Sequence, residues 1–216
     1  MNFLEIINRL VIINTILSAY PDHAILAEES GIQGESEYVW IIDPIDGTLN
    51  YLRGYPHFCV SIALTQNKRT EVAVIYDPFR DELFTSSRGN GAKLNDTKIR
   101  VRNQNSLSSG LLATGFAVRD TNDFSSQLKT IENCLEQGAD IRRSGSAALD
   151  LAYTACGRLD GFWEFNLHPW DVAAGSLIVI ESGGIVSDKQ GSENYLNSKS
   201  IVAGNPKIVK SLLGVL

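Results

Sequence analysis

The hydrophobic pattern changes period along the chain. Leu4, Ile7, Val11, Ile13, Ile16 and Leu17 recur at helical spacing and predict an amphipathic helix that stops before Pro21. From Ala24 the pattern turns to short apolar runs. AILAEES reads as a strand leading into a polar loop, and YVWIID, residues 38–43, as a buried strand ending at Pro44. HFCVSIALTQ, EVAVIYDP and DELFTSS follow as β-rich runs divided by Asn67-Lys68 and by residues 78–81, which predicts antiparallel hairpins. GNGAKLND reads as a further short hairpin or turn.

The second half alternates between periods. SGLLATGF predicts a strand, residues 123–137 a helix, ADIRRSGS a strand and loop, AALDLAYTACG a helix closing on Gly157, and RLDGFWEF a strand. A helix starts near Pro169 and Trp170 and stops at Gly183-Gly184. GIVSD and SIVAGN read as short strands, and PKIVKSLLGVL as a last helix with Pro206 in its first turn. This order predicts a mixed, layered α/β protein in one domain, rather than a repeat, bundle or barrel.

Composition narrows the function. The 216 residues are enough for a full core, and 44% hydrophobic with 20% charged residues is ordinary for a soluble globular chain. Net charge is −6, with basic residues clustered no further than pairs such as Arg142-Arg143, which disfavours a broad grip on nucleic acid. The cysteines, Cys59, Cys134 and Cys156, are odd in number and far apart, so they read as reduced, buried thiols of a cytoplasmic protein. Glu5, Asn8, Arg9 and Asn14 interrupt the apolar N-terminus, and no cationic segment precedes it, so neither a signal peptide nor a membrane span is expected.

The chemistry concentrates in VWIIDPIDGTLNYLRGYPHF, residues 39–58. A buried strand runs into Asp43. Pro44 then turns the chain, which frees the Ile45 carbonyl and returns Asp46 to the same side. Gly47 lets a ligand approach the backbone, and Thr48 opens a helical turn, so the N–H groups of residues 47 and 48 face an anion. The plainer alternative is an Asx-rich turn capping a helix. Two neighbouring carboxylates repel unless a cation holds both, and oxygen ligands favour Mg²⁺, with Mn²⁺ a substitute. Glu28-Glu29 and Asp171 are further candidate ligands, Asp171 with the alternative role of favouring its helix N-terminus. Glu28, Asp43, Asp46 and Asp171 together carry about −4, which two divalent ions neutralise so that a phosphate can bind. A serine-nucleophile mechanism is disfavoured, because RSGSAAL lacks the G-x-S-x-G elbow. His23, His57 and His168 read as structural or surface residues.

LAEES, WIIDPIDGTLNY, PHFCVSIAL, RRSGSAALDLAYTACGRLDGFWE and HPWDVAAGSLIVIESGG, in this order, closely resemble the inositol monophosphatase family, in particular its bacterial inositol-1-monophosphatase branch. The resemblance implies a layered αβαβα sandwich of the inositol monophosphatase and fructose-1,6-bisphosphatase type. It also implies a lithium-sensitive, homodimeric phosphomonoesterase that uses two or three Mg²⁺ ions to hydrolyse inositol-1-phosphate and related sugar-alcohol phosphates. Glu28, Asp43, the Ile45 carbonyl, Asp46 and Asp171 correspond to metal ligands. Gly47 and Thr48 correspond to the phosphate cradle, and Glu28 and Thr48 orient the attacking water. Glu164 falls where the family holds inositol hydroxyls, and Arg142, Gly145, Ser146 and Ala147 fall on the loop beside the substrate. Family members carry a further N-terminal segment, so the resemblance implies a shortened chain with weakened metal use. Bacterial relatives also imply an alternative role, as partners of RNA polymerase and its antitermination factors.

Overall fold

The computed structural model describes residues 3–28, 30–116 and 124–216, with side chains from residue 6 onward. Thirteen strands and six helices follow one another along these segments. The eight-stranded sheet runs in the order β2 (Gly31–Gln33), β1 (Ala24–Ala27), β3 (Tyr38–Asp46), β4 (Cys59–Gln66), β5 (Arg69–Asp77), β6 (Glu82–Ser87), β7 (Ala92–Leu94), β8 (Thr97–Lys98). Only its β1–β3 pair is parallel. The five-stranded sheet runs β10 (Asp140–Arg142), β9 (Leu111–Thr114), β11 (Gly161–Phe165), β13 (Ser200–Gly204), β12 (Ile185–Ser187).

Period-two alternation sends the inward-facing strand residues into one of three cores. Ile42 points out of the first sheet into a cluster with Ile25 and Ala27, covered by Ile13 and Ile16 of α1 (Phe3–Ala19). Its neighbour Ile41 points the other way, into the main core. There α4 (Ala147–Ala155) and α5 (Pro169–Glu181) lie between the sheets, their Leu151 and Leu177 packed with Phe84 from the first sheet and Phe162 from the second. Trp163, one residue beyond Phe162, enters a third cluster with Cys134 of α3 (Phe124–Glu136) and Ile208 of α6 (Pro206–Leu213). The layers are therefore α, β, α, β, α, as expected. Helices α4 and α5 pack closely because residue 175 is a glycine: a Cβ there would meet Leu151 Cβ at 2.5 Å.

The antiparallel hairpins follow the sequence expectation, including the β7–β8 turn, where Asn95 and Asp96 take the left-handed conformation with φ 44° and 64°. The structure corrects one boundary. Strand β3 does not end at Pro44 but runs to Asp46, because a register shift between Asp43 and Asp46 lifts Pro44 and Ile45 out of the pairing with β4. A proline is tolerated at such a bulge because no ladder bond is asked of it. Strand β2 adds a short exposed edge that no periodicity announces. Residue 123, the expected first position of α3, and Glu29 lie outside the described residues.

Candidate metal and phosphate site

The bulge at the end of β3 sets the site. Asp43 sits opposite Ser61 and Asp46 opposite Cys59, so the two carboxylates flank an unpaired Pro-Ile step. Asp43 is buried and its Oδ1 accepts the Ile45 N–H at 2.9 Å. The Ile45 carbonyl accepts the Thr48 hydroxyl at 3.0 Å and keeps a second lone pair. Asp46 is anchored across the molecule: its Oδ2 accepts Ser146 Oγ at 2.6 Å and the Ala148 N–H at 2.8 Å, at the start of α4. Ser146 is the N-cap of that helix and also accepts the Leu149 N–H at 3.4 Å.

Asp171, in the first turn of α5, closes the cluster. Its Oδ2 accepts the His168 N–H at 2.6 Å, so the capping role open to it is realised. It also brings an oxygen into a group with Asp43 and Asp46 whose ligand atoms all lie within 4.8 Å of one another. Glu28 follows β1, its N–H donating to the Ile42 carbonyl at 3.3 Å and its own carbonyl accepting Arg9 of α1 at 3.5 Å. Its charge reaches both Asp43 and Asp171.

Burial and mutual repulsion make this cluster reluctant to ionise by itself. Burial first, then Asp46, Glu28 and Asp171, hold the Asp43 carboxyl well above the usual range. Burial pushes Asp46 up to about 6 against the opposing bonds from Ser146 and Ala148. Asp171 is raised to about 7 by burial and then by Asp46. The attraction of each carboxylate to a divalent cation would outweigh these repulsions, and an all-oxygen, carboxylate-rich donor set suits Mg²⁺ or Mn²⁺. Cys59, whose Sγ lies 3.9 Å from Asp46 Oδ2, is not a rival soft ligand: burial pushes its thiol well up, away from the thiolate that metals take.

Gly47 shows why the turn needs its glycine. It has φ 89°, and a Cβ would meet His57 O at 3.0 Å and Gly145 O at 3.2 Å, so the turn is pinched between two backbone segments. Thr48 then starts the one-turn helix α2 (Thr48–Leu52). Asn50 of that turn spans the same two segments, its Nδ2 donating to His57 O and to Ser144 O, each at 2.8 Å. Beyond Ser146, the chain enters α4 with Ala147 and Ala148 buried.

Glu164, on β11, faces the same region. Burial, then Asp150, Asp46 and Asp171, raise its carboxyl well above normal, and Arg143 opposes them. A Cβ on Gly115 would overlap its carboxylate, so that glycine leaves the room it occupies. Arg142 is exposed, with its guanidinium turned back to the Ile141 carbonyl at 3.1 Å. Its neighbour Arg143 instead donates to the Phe116 carbonyl at 3.4 Å and lies over the Phe116 ring, 6.0 Å from the centroid. The two other histidines pack on aromatic rings: His23 accepts Trp40 Nε1 at 3.0 Å, and His168 stacks on Trp170. Among the described residues no helix is long and apolar enough to cross a membrane.

Of the four carboxylates named from the sequence, the structure brings ligand atoms of Asp43, Asp46 and Asp171 within 4.8 Å of one another; sequence reasoning missed Asn50, Arg143 and the buried pair His57–Asp150. Asn50 and His57 stand in the same motif stretch, yet what they touch lies about a hundred positions away, and local spacing carries no sign of it.

Residues 5–214 match the inositol monophosphatase family. The chain belongs to that family. It is 51% identical over 212 residues to a protein of Xylella fastidiosa named Nus factor SuhB, a match covering 95% of this chain and 77% of that protein. The extragenic suppressor protein suhB of Bartonella henselae superposes with a TM-score of 0.96 at 42% identity, over 100% of this chain and 83% of that one. An inositol monophosphatase from Anabaena (Nostoc) sp. PCC 7120 does so at 0.92 and 43% identity, over 98% and 84%. The layered fold is thus that of the family, and the αβαβα expectation holds.

Proposed function

We propose that this chain is a Mg²⁺-dependent phosphomonoesterase that hydrolyses inositol-1-phosphate and related sugar-alcohol phosphates, acting as a single domain. The observation that carries the proposal is the meeting of Asp43, Asp46 and Asp171 within 4.8 Å, all three raised in pKa by burial and mutual charge. In this reading Glu28, Asp43, the Ile45 carbonyl, Asp46 and Asp171 hold the cation. When bound, Mg²⁺, or Mn²⁺ in its place, supplies charge neutralisation for the phosphate and polarises the ester. The N–H groups of residues 47 and 48 hold phosphate oxygens. Thr48, whose hydroxyl proton is committed to Ile45 O, offers its oxygen to orient an attacking water, and Glu28 would accept that water's proton as the ester P–O bond breaks and the departing alcohol oxygen takes a proton from solvent. Glu164 binds the hydroxyls of the alcohol, while Gly145, Ser146 and Ala147, with Arg142, border it. The test is phosphate release from inositol-1-phosphate with and without Mg²⁺, for the native chain and for Asp43→Asn. Release only with Mg²⁺ and only by the native chain is expected; turnover by folded Asp43→Asn overturns the assignment.

A second reading rests on the name of the Xylella fastidiosa relative: the chain serves in transcription antitermination, as a partner of RNA polymerase and its associated factors. Co-purification of polymerase by both the native chain and Asp43→Asn, without phosphatase activity in either, would favour it. A homodimer belongs to the first reading and is checked by light scattering.

A further inference from the structure

His57 and Asp150 are buried, and neither belongs to the metal cluster. His57 Nε2 lies 3.4 Å from Asp150 Oδ1, a close polar contact, and neither of these buried atoms has a hydrogen-bond partner. His57 stands just before β4, and Asp150 lies one turn into α4, so their contact ties the first sheet to the helix between the layers. Two further observations place this tie at the phosphate cradle. The His57 carbonyl is one of the two backbone oxygens that pinch Gly47, the other being Gly145 O, and Asn50 bridges that same carbonyl to Ser144 O. Asp46 is held by Ser146 and Ala148, two to four positions before Asp150 on the same helix start. The segments on either side of the turn 46–48 are thus joined twice, by Asn50 and by His57–Asp150, and Ser146 fastens the turn itself to the second of them.

We propose that His57 and Asp150 form a positioning pair that fixes the gap between the turn 46–48 and the loop 144–147, and so sets how tightly the phosphate is gripped. This rests on the phosphatase reading. The pair touches no reacting atom. It acts by keeping backbone donors where the anion needs them, which is worth affinity only when they are held in advance. Removing one partner takes from the other buried polar group its nearest polar neighbour, and the surroundings must shift to satisfy it.

The experiment compares the native chain with His57→Phe, which keeps a ring against Tyr153 but deletes the donor, and with His57→Gln, which restores a donor in place of Nε2. KM and kcat for inositol-1-phosphate are measured at saturating Mg²⁺, together with the calorimetric affinity for inorganic phosphate in the same buffer. The expected result is a KM about tenfold higher for His57→Phe, a phosphate affinity weaker by the same factor, kcat within about twofold, and recovery of most of the loss in His57→Gln. Should His57→Phe not fold, Asp150→Ser takes its place with the same expectation. A KM and phosphate affinity equal to the native values in a folded variant overturn the pair's role and leave the phosphatase reading intact. A fall in kcat alone, or an equal loss in His57→Gln, also overturns it. A native chain that neither releases nor binds phosphate overturns the phosphatase reading and this inference with it. If it binds phosphate without turnover, the variants' phosphate affinities decide the inference by themselves.

Discussion

Ser146 Oγ donates to Asp46 Oδ2 at 2.6 Å across a hundred positions of sequence, and in doing so fastens the end of β3 to the start of α4. One hydroxyl caps a helix, orients a carboxylate and joins two layers. Ser146→Ala should therefore cost about 1–3 kcal/mol, from a buried carboxylate losing a partner and a helix losing its cap. Ser146→Thr should lose far less. Urea denaturation of both variants measures the difference, and equal stabilities would show that the hydroxyl matters little.

The raised carboxyls give the metal-free chain a distinctive pH response. An acid whose pKa is higher folded than unfolded keeps its proton in the native state where the unfolded chain has lost it. For Asp46, raised to about 6, and Asp171, raised to about 7, the penalty therefore grows as pH rises from about 4 to about 7 and is constant above. In chelator-treated protein, Asp171→Asn should flatten the fall in melting temperature between pH 5 and pH 7.5, each kcal/mol being worth about 2–4 °C. Mg²⁺ at pH 7.5 should raise melting of the native chain more than that of the variant. Parallel melting profiles for the two proteins would count against the cluster's control of this response.

Gly47→Ala tests the pinch. The left-handed φ of 89° and a Cβ placed 3.0 Å from His57 O act together, so a loss of about 2 kcal/mol or more is expected. Thermal melting reads the stability, and phosphate release from inositol-1-phosphate should fall with it. A variant that melts like the native protein would mean that the turn relaxes freely.

Glu164→Gln separates recognition from chemistry. Glu164 faces the site from the second sheet with its carboxyl raised well above normal by burial, so an amide is no harder to keep there. KM should rise for inositol-1-phosphate and hold for glycerol-2-phosphate, which presents fewer hydroxyls. Equal losses on both esters would argue against hydroxyl binding.

The fold was legible wherever one face of an element is dry. Along β4, Cys59, Ser61, Ala63 and Thr65 alternate with less buried neighbours, and a periodic sequence reports such a face directly. Strand β2 is exposed at all three positions and leaves no periodic trace. Pro44 was misleading, because proline ordinarily ends a paired strand and here sits in a bulge that needs no pairing. Asp43 and Asp46 could be read because they end a strand too apolar to hold a charge idly. Asn50, Arg143 and His57 could not, since ordinary residue types acquire their meaning from Ser144, Phe116 and Asp150, and those meetings exist only after the layers close.

The order in which the layers are made has a consequence for each newly synthesised copy. Asp43 and Asp46 leave the ribosome early, on a sheet that can pair with itself, whereas Asp171, β11, β13 and α6 come last. Until α4 and α5 arrive, the inner face of the first sheet has no helix to cover it, and Asp46 lacks its anchor on α4. The half-made chain is thus an open apolar sheet with uncompensated carboxylates at its rim, the state in which a nascent protein most needs a chaperone's protection. In the proposed metal reading, the cluster of Asp43, Asp46 and Asp171 is complete only once α5 has packed onto the first sheet, so occupancy of the site would report that these layers have closed.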